Sequence, residues 1–172
     1  MISRPALIIA YALIAASGCG SSGSPVTIDL IHELPNAERR TAGDIDAAIR
    51  VDRAGPQDDE RPSILTTAPA RIVWSLRFPP HAHLTTAVRL VGTSAGQGAT
   101  ARIGISDNRI YEQLARVVVT PSQWQTVEVD LRRYAGFQWS LFYRPSQTTW
   151  RLNFSADATP SGMIAWAIPL IR

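Results

Sequence analysis

The stretch Arg71-Ile-Val-Trp-Ser-Leu-Arg-Phe78 decides the fold class. Ile72, Trp74, Leu76 and Phe78 take every second position, and Arg71, Ser75 and Arg77 fall between them. Successive side chains of a strand point to opposite faces, so this period of two describes a strand with one dry face and one wet face.

The pattern recurs along the chain. Ile103 and Ile105 alternate with Arg102 and Gly104. Val127, Val129 and Leu131 alternate with Glu128 and Asp130, and Phe137, Trp139, Leu141 and Tyr143 with Gln138 and Ser140. Trp150, Leu152 and Phe154 alternate with Arg151 and Asn153. A looser run points Leu84, Val88 and Leu90 together, and Ile164, Trp166, Ile168 and Leu170 form the last set. Shorter strands are expected near 26–31, 49–51, 64–66 and 116–119. Turn residues divide the runs: Pro79-Pro80, the segment 92–98, Asp107-Asn108, Thr120-Pro-Ser122, Ala135-Gly136, Pro145-Ser146 and Pro160-Ser-Gly162. A short helix is expected around 32–40 or 42–48. The acidic stretch Gln57-Asp-Asp-Glu60, between Pro56 and Pro62, reads as a solvated loop. Many short strands at regular spacing predict an all-β chain, one antiparallel β-sandwich over residues 26–172.

Trp124-Gln-Thr-Val-Glu-Val-Asp-Leu131, followed by Tyr134-Ala-Gly136, resembles a stretch found in galactose-binding-domain-like jelly rolls. The closing Ala165-Trp166-Ala-Ile-Pro-Leu-Ile171 is similar to the last strand of such domains, and residues 45–78 fit their early strands. The resemblance covers roughly residues 45–172 and implies a jelly-roll sandwich. It also implies one of three roles: binding a glycan, binding a protein, or supporting a neighbouring domain. Met163-Ile164 stand where a polar or acidic residue often precedes the Ala-Trp pair, so no calcium or sugar contact is carried over there.

The N-terminus is of another kind. Arg4 is followed by the apolar run Ala6-Leu-Ile-Ile-Ala-Tyr-Ala-Leu-Ile-Ala-Ala16 and then Ser17-Gly18. A basic start, an apolar core and a small-residue exit predict a secretory signal peptide over residues 1–18. The run is shorter than the ~20 residues a membrane span needs. Ala16-Ser-Gly-Cys19 resembles the lipobox of bacterial lipoproteins. That resemblance implies that Cys19, the single cysteine, is lipidated and becomes the mature N-terminus. Two or more acyl chains hold a protein stably at a bilayer. Residues 19–25 then read as the lipidated cysteine and a flexible Gly/Ser tether. The predicted address is the cell envelope, anchored to membrane. Gly20, rather than aspartate, follows the cysteine, which favours the outer membrane if the source has one.

Composition narrows the function. The formal net charge is +3, and all 17 basic residues are arginine. With no lysine there is no Schiff-base chemistry and no P-loop lysine. The arginines are scattered through apolar strands, with Arg39-Arg40 and Arg132-Arg133 as the only pairs, so nucleic acid is not an expected partner. An arginine on a strand face is more often solvated or ion-paired than a phosphate ligand.

Site signals are sparse. His81-Ala-His83, with His32 as a third imidazole, is a weak metal pattern without a partnering carboxylate or cysteine. No Gly-x-Ser-x-Gly elbow occurs. Asp58, Asp59 and Glu60 lie in a proline-bounded loop rather than facing each other as paired catalytic acids would. The expectation is therefore no enzyme activity, no metal and no cofactor. Among the five tryptophans, Trp74, Trp150 and Trp166 fall in phase with aliphatic neighbours and are expected in the core. Trp124 starts a strand beside a turn, and Phe142 is out of phase with Trp139 and Tyr143. These two are the expected exposed aromatics, with Arg144 beside them as a donor to hydroxyls. The predicted function is a non-catalytic, lipid-anchored envelope protein that binds carbohydrate or an envelope polymer through Trp124, Phe142 and Arg144. The alternative is an accessory or scaffold lipoprotein that docks a protein partner.

Overall fold

Strand β5 (Ala70–Leu76) behaves as its alternation requires: Ile72 and Trp74 are fully buried, while Arg71 and Ser75 face out. The computed structural model describes residues 26–92, 98–121, 123–135, 149–157 and 162–172. Its other strands, in chain order, are β1 (Ile28–Asp29), β2 (Glu38–Thr41), β3 (Ile49–Ala54), β4 (Arg61–Thr67), β6 (His83–Val91), β7 (Ala99–Ser106), β8 (Tyr111–Val119), β9 (Gln125–Asp130), β10 (Trp150–Asp157) and β11 (Met163–Ile171). Among the described residues they form two antiparallel sheets, one of five strands in the order β2-β5-β10-β7-β8 and one of six. The six-stranded sheet runs β3-β4-β11-β6-β9, and β1 pairs with the far end of β11. From β9 onward the described strands pass from sheet to sheet, β9 to β10 to β11, so each hydrogen-bonds to strands distant in sequence. This is the expected jelly-roll sandwich.

The two sheets meet over an aromatic centre. The Trp74 and Phe154 rings meet edge to face with centroids 5.0 Å apart, and Phe154 lies 4.6 Å from Trp166 on the opposite sheet. Such contacts add to the area that aromatics bury. The Trp166 indole N–H donates to the Thr66 hydroxyl (3.0 Å), which donates to the Ile164 carbonyl (3.2 Å), so this core polar group is satisfied. Trp150 is half-buried against Tyr134, with centroids 5.0 Å apart. The three tryptophans expected in the core therefore pack there.

The motif around 124–136 has a physical explanation. Val127, Val129, Leu131 and Tyr134 are buried, and the Asp130 carboxylate accepts from the Arg132 backbone N–H (2.9 Å) where the strand ends in a 3-10 turn at Arg132–Tyr134. The two helix expectations become a 3-10 turn at Leu34–Asn36 and a single α-turn, α1 (Ile45–Ala48), capped by the Asp44 carboxylate. Residues 38–40, inside the first expected helix, belong instead to β2, which pairs with β5.

One pattern needs correction. Ile168 belongs to the predicted apolar set of β11, yet it is 45% exposed. A β-bulge between Ala167 and Leu170 shifts the register, and Ile168 has a positive φ of 45°. The extra residue inverts the alternation, so Ile171 reaches the core in place of Ile168 and Leu170.

Candidate functional site

The outer face of the five-stranded sheet is the most distinctive surface of the described structure. Its residues follow from register, since directly paired residues share a face. One row crosses the sheet as Glu38, Val73, Asn153, Gly104 and Gln113. On one side lies the row Arg40, Arg71, Ser155, Arg102 and Arg116, and on the other Ser75, Arg151, Ser106 and Tyr111.

The middle row is a floor. Val73 and Asn153 are buried although they point away from the sandwich core. The Asn153 carboxamide oxygen accepts from Arg71 Nε (2.9 Å), and its amide donates to the Arg151 carbonyl (2.7 Å). Gly104 lies beneath the ring of Tyr111: a methyl group there would overlap the ring carbons and the hydroxyl oxygen. A glycine inside a strand often marks such a close approach. The Arg71 guanidinium stands 5.8 Å from the Tyr111 ring centroid, and Tyr111 is 47% exposed.

The β7–β8 turn completes the site. The Asp107 carboxylate accepts from the backbone N–H groups of Arg109 and Ile110, both at 2.9 Å. These bonds hold its carboxyl below the usual carboxylate range. Asn108 takes a positive φ of 75°, a conformation asparagine tolerates. Its side-chain oxygen accepts from Arg151 (3.1 Å), and Arg151 also pairs with Glu38. Glu38 is shared with Arg40, whose hydrogen bond is the main cause of its lowered pKa. The result is a groove of about 250 Å³ between the turn and the arginines, with Tyr111 and Arg71 in its wall. Its chemistry is a flat aromatic face ringed by fixed donors.

A second recess, of about 420 Å³, lies at Gln113, Glu128, Asp130 and Arg133. Asp130 pairs with Arg132 and Arg133 with Glu112, which leaves the exposed Glu128 near His83 as its remaining charge. Among the described residues no aromatic side chain lines it.

Trp124 lies on the outer side of the other sheet, half-buried against Ala54, Leu65 and Ala165. Its indole N–H donates to the Asp59 carbonyl (3.2 Å), and the Arg61 guanidinium sits 5.2 Å from its ring centroid. Gly55, at φ 123°, leaves room for the indole: a Cβ there would stand 3.1 Å from Trp124 Nε1. The loop at 57–60 is exposed, as expected, but its backbone anchors this tryptophan. Phe142 and Arg144 lie outside the described residues, as do the signal peptide, Cys19 and its tether. Trp124 and the Tyr111 face are therefore on different sheets.

His81 and His83 are both exposed, on either side of the buried Ala82, and His83 lies 3.8 Å from Glu128. Among the described residues no group of three or more His, Cys, Asp or Glu side chains is placed to hold a metal ion. Also among them, no helix is long and apolar enough to cross a membrane.

Sequence reasoning passed over Tyr111, Arg71 and Asn153. The available signal was Gly104 inside the strand Arg102-Ile-Gly-Ile105, seven residues before a tyrosine across an Asp-Asn turn.

Comparison with known proteins bears on the fold. No protein-family model matches the sequence, and no curated protein matches it. Solved structures do match in shape. TmCBM61, determined in complex with β-1,4-galactotriose, has a TM-score of 0.55 at 9% identity, covering 81% of this chain and 89% of that one. The CBM22-1 xylan-binding domain of Paenibacillus barcinonensis Xyn10C has a TM-score of 0.53 at 15% identity, covering 86% and 92%. The K1 cleaved adhesin domain of Lys-gingipain from Porphyromonas gingivalis W83 has a TM-score of 0.57 at 11% identity, covering 86% and 96%. The chain thus has the galactose-binding-like β-sandwich fold seen in carbohydrate-binding modules.

Proposed function

We propose that this chain is a non-catalytic cell-envelope protein, lipid-anchored through Cys19, whose sandwich binds a glycan on the outer face of the five-stranded sheet. The observation that carries the reading is the exposed Tyr111, whose ring closes over Gly104 beside Arg71. Flat aromatic faces suit the apolar faces of sugar rings, and fixed donors beside them suit hydroxyls. Two neighbours in fold are named for, or solved with, a polysaccharide or oligosaccharide, which supports the same reading.

The test is titration of the full-length protein with polysaccharides, peptidoglycan fragments and lipopolysaccharide. Saturable binding lost in a folded Tyr111→Ala variant is expected. A folded protein that binds none of them overturns the glycan reading. Growth with labelled fatty acid tests the anchor: label is expected on the protein and absent from Cys19→Ser.

A second reading is docking of a protein partner along β8, an edge strand of the described sheet. It is favoured by Ile110 and Val118, which are 73% and 60% exposed at the two ends of that strand. One stoichiometric partner, co-purified and lost on Val118→Asp, would be its sign.

A further inference from the structure

We infer that the glycan is a polyanion, a saccharide chain bearing carboxylate or sulfate groups that is held by the row of arginines beside Tyr111. This deepens the glycan reading and rests on it. Arg40, Arg71, Arg102 and Arg116 come from four different strands, and only strand pairing brings them into one line. Ser155 holds the middle position of that line. Neighbouring strands are about 4.8 Å apart, so the row spans about 19 Å. One strand step is close to the length of one pyranose residue along a chain.

The charge on this face is not balanced. Its acids are Glu38, shared between Arg40 and Arg151, and Asp157, paired with Arg102. The nearby Asp107 carboxylate accepts from the backbone of its own turn. Arg71 gives two of its donors to Asn153, a neutral amide, and keeps its full charge. Arg109 is exposed with its charge offset by Asp107 in the same turn, whereas Arg116 is exposed and has no carboxylate partner among the described residues. Two guanidinium groups, those of Arg71 and Arg116, therefore stand without an acid among the described residues, on a face that carries an exposed aromatic residue. Guanidinium binds planar carboxylates and tetrahedral oxyanions through paired N–H donors. A neutral glycan would leave that charge unused. An anionic one would meet charge along the row while a ring of its chain lies on Tyr111.

The experiment measures binding of the full-length protein to four probes: polygalacturonate, dextran sulfate, neutral galactan and a single-stranded oligodeoxynucleotide. Binding to a polyanionic glycan about tenfold or more tighter than to galactan is expected. That preference should weaken as salt is raised, because exposed charges are screened. Arg116→Gln, at an exposed edge position, should lower affinity for the acidic glycan several-fold and flatten its salt dependence. Arg71→Gln should do the same, with near-ultraviolet circular dichroism used to check its fold. Tighter binding to polygalacturonate assigns the anion as carboxylate, and tighter binding to dextran sulfate assigns it as sulfate. Galactan bound as tightly as either acidic glycan overturns this inference and leaves the glycan reading standing. The oligonucleotide bound as tightly as the glycans also overturns it, because attraction would then be charge alone. Binding to none of the four overturns this inference, and the glycan reading then stands or falls on its own panel.

Discussion

Gly104 lies where it does because the phenol ring of Tyr111 fills the space a side chain would need. The two residues sit on paired strands, β7 and β8, and Tyr111 is opposite Ser106, two positions further along β7. The ring leans across the pair towards Arg71 instead of standing upright from its own strand. The pairing thus brings the hydroxyl end of the ring over the strand that carries Gly104.

Gly104→Ala should lift that ring without removing any group that a ligand could touch. The expected result is a loss of glycan affinity of about tenfold, or 1.4 kcal/mol, with little change in the unfolding midpoint. Titration alongside Tyr111→Ala is the check. An alanine variant that binds like the wild type would mean that ring orientation does not matter.

Phe154 links the two sheets, touching Trp74 on its own sheet and Trp166 on the other. Its truncation leaves a void that backbone pairing on both sides prevents from closing. Phe154→Ala should therefore cost about 3–5 kcal/mol, the range for large buried aromatics. Urea unfolding of the full-length protein measures this, and a loss below about 1 kcal/mol would show that the centre can repack.

Tyr134 and Glu112 make stability depend on pH at both ends of the scale. The Tyr134 hydroxyl donates to the Glu112 carboxylate (2.7 Å), and Arg133 pairs with that carboxylate. Burial first, and then this hydrogen bond, push the phenol up to about 12. An unfolded tyrosine titrates near 10, so the folded state holds this proton more tightly. The contribution is full below about pH 10 and is lost as pH rises through about 12. Glu112 moves the other way, lowered by the Tyr134 hydroxyl first and by Arg133 after it. Its contribution is present above the ordinary glutamate value, about 4.3, and is lost as pH falls through its lowered one. Tyr134→Phe should flatten the alkaline fall and weaken the acid one, as read from denaturant midpoints across pH.

The strands were legible because alternation is local: Ile72, Trp74, Leu152 and Phe154 each announce their inward direction within a few residues. Ile168 was not, because one extra residue inverts the phase, and its one mark is Pro169, a residue that a paired strand accommodates at a bulge. The candidate site was hidden for a different reason. Arg40, Arg71, Arg102 and Arg116 are far apart in sequence, and each looks like an ordinary solvent-facing strand residue. Only the order β2-β5-β10-β7-β8 lines them up. The burial of Val73 and Asn153 on an outward face likewise depends on neighbours that no window of sequence contains.

Trp124 provides a test that separates the two sheets. Its N–H is engaged by the Asp59 carbonyl, Arg61 stands near its ring, and its remaining contacts are with Ala54, Leu65 and Ala165. Asp59 is held below the usual carboxylate range by Arg61, so loop, arginine and indole form one connected unit. Trp124→Ala should remove the anchor of the 57–60 loop, lowering stability by about 1–3 kcal/mol and exposing the loop to protease. Glycan affinity should fall less than it does in Tyr111→Ala, because little of the indole is free to meet a ligand. The two variants are to be compared by the same titration, each checked for folding first. A larger loss at Trp124 than at Tyr111 would transfer the binding surface to the six-stranded sheet, and the arginine row would then be a solvated face.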